Sequence, residues 1–203
     1  MSLANSLVVL DFETSGMSPD HGDRAIEVGA VRLEKGVVVD EFQALMNPGF
    51  KVSGFIEDFT GISNKMLAKA PPCAQVMSSF ADFLGDSNLL AHNASFDQRF
   101  LDSEFRFIKR AYRGEFCCSM LTSRRIFQEA PNHKLESLVS YINLPVEGRF
   151  HRALNDAEMT SGVWLAMLAK IGAEYGCSDI SFSTMKELSR VSKKQVRKFF
   201  ESI

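Results

Sequence analysis

Residues 7–16 read LVVLDFETSG. Apolar residues fill five of the first six positions, which suits a buried strand, yet Asp11 and Glu13 close the run two positions apart. Side chains two apart on a strand project to the same face, so the two carboxylates stand together at the edge of a core. Like charges that close repel and raise a pKa unless something neutralises them. A hard divalent cation, Mg²⁺ or Mn²⁺, does so through oxygen ligands. The competing reading is an edge strand with solvated acids; the buried run before them weakens it.

Outward from this strand, AIEVGAVRLEKGVVVDEFQALM (25–46) predicts two strands joined at Glu34-Lys35-Gly36. Ile26, Val28 and Ala30 alternate in the half-buried pattern, and with residues 6–13 the two strands make an antiparallel three-strand meander. Helical patterns follow. Residues 73–85 place Val76, Met77, Phe80, Phe83 and Leu84 on one stripe and stop at Gly85. A short strand at 88–92 leads into a helix over 94–110, and EFCCSM (115–120) predicts another strand. LTSRRIFQEA and KLESLVSYINL predict two helices split by Pro131. Residues 152–176 predict a long helix with Ala153, Ala157, Trp164, Met167, Leu168 and Ile171 inward. Strands first, then strands interleaved with helices, give an α/β class: a mixed sheet flanked by helices.

The 203 residues fit one domain with a short appendage, and the net charge of −2 carries no overall basic footprint for nucleic acid, although a local patch stays open. SRVSKKQVRKFFESI (189–203) is basic and helical in pattern, either a solvated surface helix or a nucleic-acid contact. No apolar run approaches the roughly 18 residues of a membrane span, and MSLANS at the start lacks the features of a secretory signal. Cys73, Cys117, Cys118 and Cys177 show no C-x-x-C spacing, which argues against zinc and for a reduced, cytoplasmic protein without a membrane partner.

Two further segments carry acids. LLAHNASFD (89–97) reads as strand, turn and helix start, with Asn93 or Ser95 as N-cap and Asp97 in the first turns, where an acid is also favoured by the helix dipole. HRALNDAE (151–158) sets His151 five residues before Asp156, about 500° around a continuous helix, so the two share a pocket only if the helix starts just after His151. From the three segments, Asp11, Glu13, Asp97 and Asp156 give four carboxylates and His151 one imidazole. That set suits two Mg²⁺ or Mn²⁺ ions roughly 3.5–4 Å apart for phosphoryl transfer, with a histidine near neutral pKa as general base.

DFETSG (11–16), HNASFD (92–97) and HRALNDA (151–157) resemble, in order and type, the three motifs of the DnaQ-like, or DEDDh, 3′–5′ exonucleases, the family of the polymerase III epsilon subunit, ribonuclease T and oligoribonuclease. The resemblance covers roughly residues 6–172, and FTGIS (59–63) is similar to a frequent family turn. It implies a ribonuclease H-like fold with a mixed five-stranded sheet, an exonuclease domain over 1–176 and a short basic, helical tail over 177–203. It implies that Asp11, Glu13 and Asp156 hold a catalytic metal, that Asp11 bridges to a second metal positioned with Asp97, and that His151 activates water.

The same resemblance implies single-stranded DNA or RNA 3′ ends as partners and nucleoside 5′-monophosphates as products. Thr14, Ser15 and Gly16 would meet the terminal nucleotide, with Met17 as an apolar wedge, Phe96 as a base-stacking ring and Asn93 nearby. Core packing is the alternative for Met17 and Phe96, and solvation the alternative to phosphate contact for Arg99 and Arg152. Homodimerisation, known for ribonuclease T and oligoribonuclease, is a further expectation; polymerase association is left open, and a chain this short would proofread only in trans. Two other readings compete: a catalytically silent nucleic-acid-binding subunit, which retention of all four acids disfavours, and a ribonuclease H-type endonuclease, which the D-x-E and H-x₄-D spacings disfavour.

Overall fold

The computed structural model describes residues 2–145 and 151–203. Strands β1 (Leu7–Thr14), β2 (Ala25–Glu34) and β3 (Val37–Leu45) form the expected meander, with β1–β2 and β2–β3 antiparallel. The Lys35-Gly36 turn takes positive φ at both residues, the backbone that a two-residue hairpin demands. Two short strands, β4 (Leu89–Ala91) and β5 (Phe116–Cys118), add in parallel on the other side of β1. The sheet order is β3-β2-β1-β4-β5, so β1 is central and its acidic end emerges at the middle of the sheet.

Helices cover both faces. Even-numbered residues of β1 (Val8, Leu10, Phe12) pack with α3 (Cys73–Leu84) and α4 (Ser95–Phe107). Odd-numbered Leu7 and Val9 pack with α5 (Ser119–Ile126), α6 (Leu135–Tyr141) and α7 (Ala153–Tyr175). Asp11 and Glu13 continue the odd row, so they point to the face that α7 crosses. On α7, Ala153, Ala157, Trp164, Met167 and Ile171 are buried as expected; Leu168 is half-buried, and Val163 takes a fully buried place. The Trp164 indole N–H donates to the Ala4 carbonyl at 2.6 Å, satisfying its polar atom inside the core.

Three expectations need correction. β2 is not half-buried: Ala25 through Val31 are all buried because helices cover both faces of the sheet, and its one acid there, Glu27, is paired. Residues 54–67 form two helices, α1 (Gly54–Thr60) and α2 (Asn64–Leu67), rather than a turn alone. The Thr-Gly-Ile turn joins them, with Gly61 at φ 71 ending α1 and Ser63 Oγ accepting from the Met66 N–H to start α2. Neither Asn93 nor Ser95 caps α4; Ala94 holds that position and Asn93 turns the chain at φ 66.

The segment 177–203 forms α8 (Phe182–Leu188) and α9 (Val196–Glu201), and Phe182, Met185, Leu188, Val196 and Phe200 lie in the same core as α7. The backbone of Ser2 to Ala4 pairs with Ile180 to Phe182, which ties this segment to the start of the chain. Its lysines and arginines stay on the surface. Among the described residues, no helix is long and apolar enough to cross a membrane.

Candidate active site

The fold draws the three acidic segments together at the end of β1. Asp97, in the first turn of α4, accepts a hydrogen bond from the Phe12 N–H at 3.1 Å, between the two acids of β1. α7 starts at Ala153, just after His151, which meets the condition for His151 and Asp156 to share a pocket. His151 is in the left-handed region at φ 65, and its N–H donates to Asp156 Oδ2 at 3.0 Å. Ligand atoms of Glu13, His151 and Asp156 all lie within 4.8 Å of one another. Asp11, His151 and Asp156 line one open cleft with Phe59, His92, Lys134, Leu135 and Glu136.

The electrostatics are those of a cation site. Burial, then the charges of Asp97, Asp156, Glu13 and Glu27, raise the Asp11 carboxyl well above the usual range. Burial and the charges of Asp156, Glu27 and Asp97 push Glu13 up to about 8, against a lowering pull from Arg152. Asp97 is pushed up to about 8, chiefly by burial, and Asp156 to about 6, again by burial first. Burying this many carboxylates costs free energy that protonation or a bound cation relieves. An all-oxygen donor set with one nearby imidazole fits Mg²⁺ or Mn²⁺.

Two charge pairs brace the acids. The fully buried Glu27 carboxylate on β2 accepts two hydrogen bonds from Arg152, one from the Ala153 N–H and one from Gln43. Arg152, considered above as a phosphate contact, thus binds the start of α7 to the sheet. On the other side, Arg24 makes a two-bond pair with the buried Glu104 of α4, both at 2.7 Å. A charged residue inside the apolar run AIEVGAV was the visible sign of Glu27's role; nothing in the sequence showed its partner.

The expected substrate contacts separate. Thr14, Gly16, Met17 and Phe96 line an apolar pocket beside Glu13, together with Phe12, Phe55 and Phe59. Met17 is 74% exposed, so core packing does not account for it. Phe96 is half-buried, packs on Phe100 with ring centroids 5.1 Å apart and still faces the pocket. Ser15 is occupied in the loop, exchanging bonds with the Arg24 backbone, and Asn93 lines neither cavity. Arg99 is exposed and bonded to the Ser95 carbonyl.

The sequence reading missed Phe55 and Phe59. Both lie on α1, exposed and stacked on each other at 5.9 Å, and the Phe59 ring lies 4.2 Å from the His151 ring. Glu136 Oε1 stands 3.9 Å from His151 Nε2. The imidazole therefore has both an aromatic ring and a carboxylate as neighbours in the cleft.

A mixed five-stranded sheet with acids from three segments converging at the end of its central strand defines a ribonuclease H-like nuclease of the exonuclease type. Residues 8–163 match the family model described as Exonuclease, and the chain belongs to that family of DnaQ-like exonuclease domains. It is 33% identical over 180 residues to the DNA polymerase III PolC-type protein of Caldanaerobacter subterraneus subsp. tengcongensis, covering 89% of this chain and 13% of that protein. It is 27% identical over 189 residues to the DNA polymerase III subunit epsilon of Aquifex aeolicus, covering 93% of this chain and 92% of that subunit. The chain thus spans only about an eighth of the PolC-type relatives it matches. Exonuclease X, solved in complex with 5′ overhanging duplex DNA, has the same fold with a TM-score of 0.70 at 23% identity, over 90% of this chain and 99% of that one.

Proposed function

We propose that this chain uses two divalent cations to hydrolyse single-stranded nucleic acid from its 3′ end, releasing nucleoside 5′-monophosphates. The observation that carries the reading is the convergence of Asp11, Glu13, Asp97 and Asp156, with carboxyl pKa values raised together, beside His151. Asp11, Glu13 and Asp156 would hold one cation and Asp97 would help hold the second. Bound there, Mg²⁺ or Mn²⁺ supplies charge stabilisation to the phosphodiester and the leaving oxygen. His151 accepts the proton of the attacking water, with its ring fixed by Phe59 and its backbone by Asp156. Met17, Phe96 and Phe59 hold the terminal base against apolar surface, which is why no particular sequence is required.

The relatives named as DNA polymerase III components support DNA as the substrate and a polymerase as the setting. The test is digestion of matched 5′-labelled single-stranded DNA and RNA with Mg²⁺, Mn²⁺ or EDTA. A metal-dependent ladder shortening from the 3′ end, faster on DNA and abolished by Asp11→Asn, is the expected result. Undiminished cleavage by Asp11→Asn would overturn the assignment.

A further inference from the structure

The C-terminal segment lies outside the residues that match the exonuclease family, yet its backbone is bonded to the end of α5, the element that precedes the cleft-lining residues Lys134 to Glu136. Arg125 of α5 donates to the Val191 carbonyl at 2.9 Å, and Gln128 donates to the Lys193 carbonyl at 3.1 Å. These bonds hold the loop before α9 against α5, the helix that carries Arg124. Both charges bear on His133, whose imidazole is held below its ordinary pKa by burial first and then by Lys193 and Arg124. The His133 carbonyl accepts from His92 Nε2 at 2.9 Å, and His92 and the neighbouring Lys134 line the cleft beside Asp11. Arg124, Lys193 and Lys194 are exposed, and among the described residues none of them forms an ion pair with a carboxylate.

Lys134 stands in the open cleft with Asp11, whereas the apolar pocket of Met17 and Phe96 adjoins the acids at Glu13. A strand whose last nucleotide fills that pocket and whose scissile phosphate meets Asp11 would continue across the cleft that Lys134 lines. Unpaired surface cations there recover free energy by releasing counterions from phosphates. We propose that Arg124, Lys193 and Lys194 form a phosphate track that holds the upstream part of the nucleic-acid strand while its 3′ end is cut. The track rests on the exonuclease reading for its orientation. It assigns the C-terminal segment to retention of long strands, with no part in the chemistry.

The test compares wild type with Lys193→Glu/Lys194→Glu and with Arg124→Glu on three substrates: a long single strand, a dinucleotide and the p-nitrophenyl ester of thymidine 5′-monophosphate. The expected result is a KM for the long strand raised about tenfold at low salt, with a shallower salt dependence, and unchanged turnover of the two small substrates. Fluorescence anisotropy of the labelled long strand in EDTA reads binding without turnover. An unchanged KM and unchanged anisotropy for the variants would overturn the track. Loss of small-substrate turnover would also overturn it, by placing these residues in the chemistry. A wild type that cleaves nothing would instead remove the exonuclease reading, and anisotropy would still decide whether the track binds strands.

Discussion

Arg152 grips Glu27 at 2.7 and 3.1 Å, a pair formed between the residue after the motif histidine His151 and the first residues of strand β2. Glu27 is fully buried and its remaining acceptor capacity goes to the Ala153 N–H and Gln43. The pair fixes the first turn of α7, and so both His151 and Asp156. Removing Arg152 leaves a buried carboxylate without its cation. Arg152→Ala is expected to cost about 3 kcal/mol, a fall in Tm of roughly 6–12 °C, and to lower kcat more than it raises KM. Calorimetry with steady-state kinetics checks this; a variant with native Tm and kcat would show that α7 is held by its apolar stripe alone.

The raised carboxyl pKa values fix the sign of a pH effect. Asp11 is raised, Glu13 and Asp97 stand near 8, and Asp156 near 6, all above the ordinary value near 4. The folded, metal-free protein therefore binds protons that the unfolded chain has already lost. Its stability from these groups is full below about pH 4 and is lost as pH rises through 6 to 8. Between about pH 5 and pH 8 the Tm in EDTA should fall. Saturating Mg²⁺ or Mn²⁺ should restore it, because the cation binds only the folded site. Asp97→Asn should flatten the metal-free profile while keeping an oxygen that can accept from Phe12. A Tm in EDTA that rises over this window would contradict the buried acid cluster.

The legible part of the molecule was the part in which chemistry and periodicity coincide in a short segment. The meander could be read from its apolar runs and the Lys-Gly turn, α3 from its stripe and Gly85, and the candidate site from five residues in three motifs. What escaped depended on contacts between distant segments. α1 and α2 are short, and α1 exposes its aromatics, so no inward stripe marks it; its importance comes from Phe59 meeting His151 across the cleft. Glu27 stood out as an acid in a buried strand, but its partner lies 125 positions away. The basic surface of the C-terminal segment hid the apolar residues, Val196 and Phe200 among them, that seat it in the core.

On the proposed mechanism His151 would carry the proton transfer and Phe59 the positioning. The imidazole packs against Phe59 in a tilted pair and is half-exposed, while its backbone N–H donates to Asp156. His151→Ala should keep that backbone bond and lower kcat by about 10²–10⁴, leaving Mn²⁺ affinity within a few-fold of wild type. Phe59→Ala leaves the base present but loosely held, so a loss of about tenfold is expected, with a raised KM from the lost pocket wall. Isothermal titration with Mn²⁺ beside single-turnover kinetics distinguishes these outcomes. A collapse of Mn²⁺ affinity in His151→Ala would make the imidazole a ligand instead of a base.

Gly29 offers the sharpest structural test, because it connects the sheet to the site through backbone alone. It pairs with Asp11 across β1 and β2. A Cβ at this position would lie 2.0 Å from the Leu154 N and 2.2 Å from the Ala153 carbonyl carbon. Those are backbone atoms of the first turn of α7, so no rotamer change relieves the clash and the helix start must move. The residues carried with it are His151 and Asp156. Gly29→Ala adds one methyl group to a core, a change that ordinarily costs about 1–3 kcal/mol when it overpacks. The expected outcome is a loss of stability in that range and a loss of activity far greater than the stability change explains, because displacements near 1 Å at a reacting centre cost on the order of a hundredfold. Thermal melts, Mn²⁺ titration and turnover on the small phosphodiester ester would be measured on the same preparation. Full activity at reduced stability would mean that α7 rotates without moving its acid, and the close approach at Gly29 would then serve packing alone.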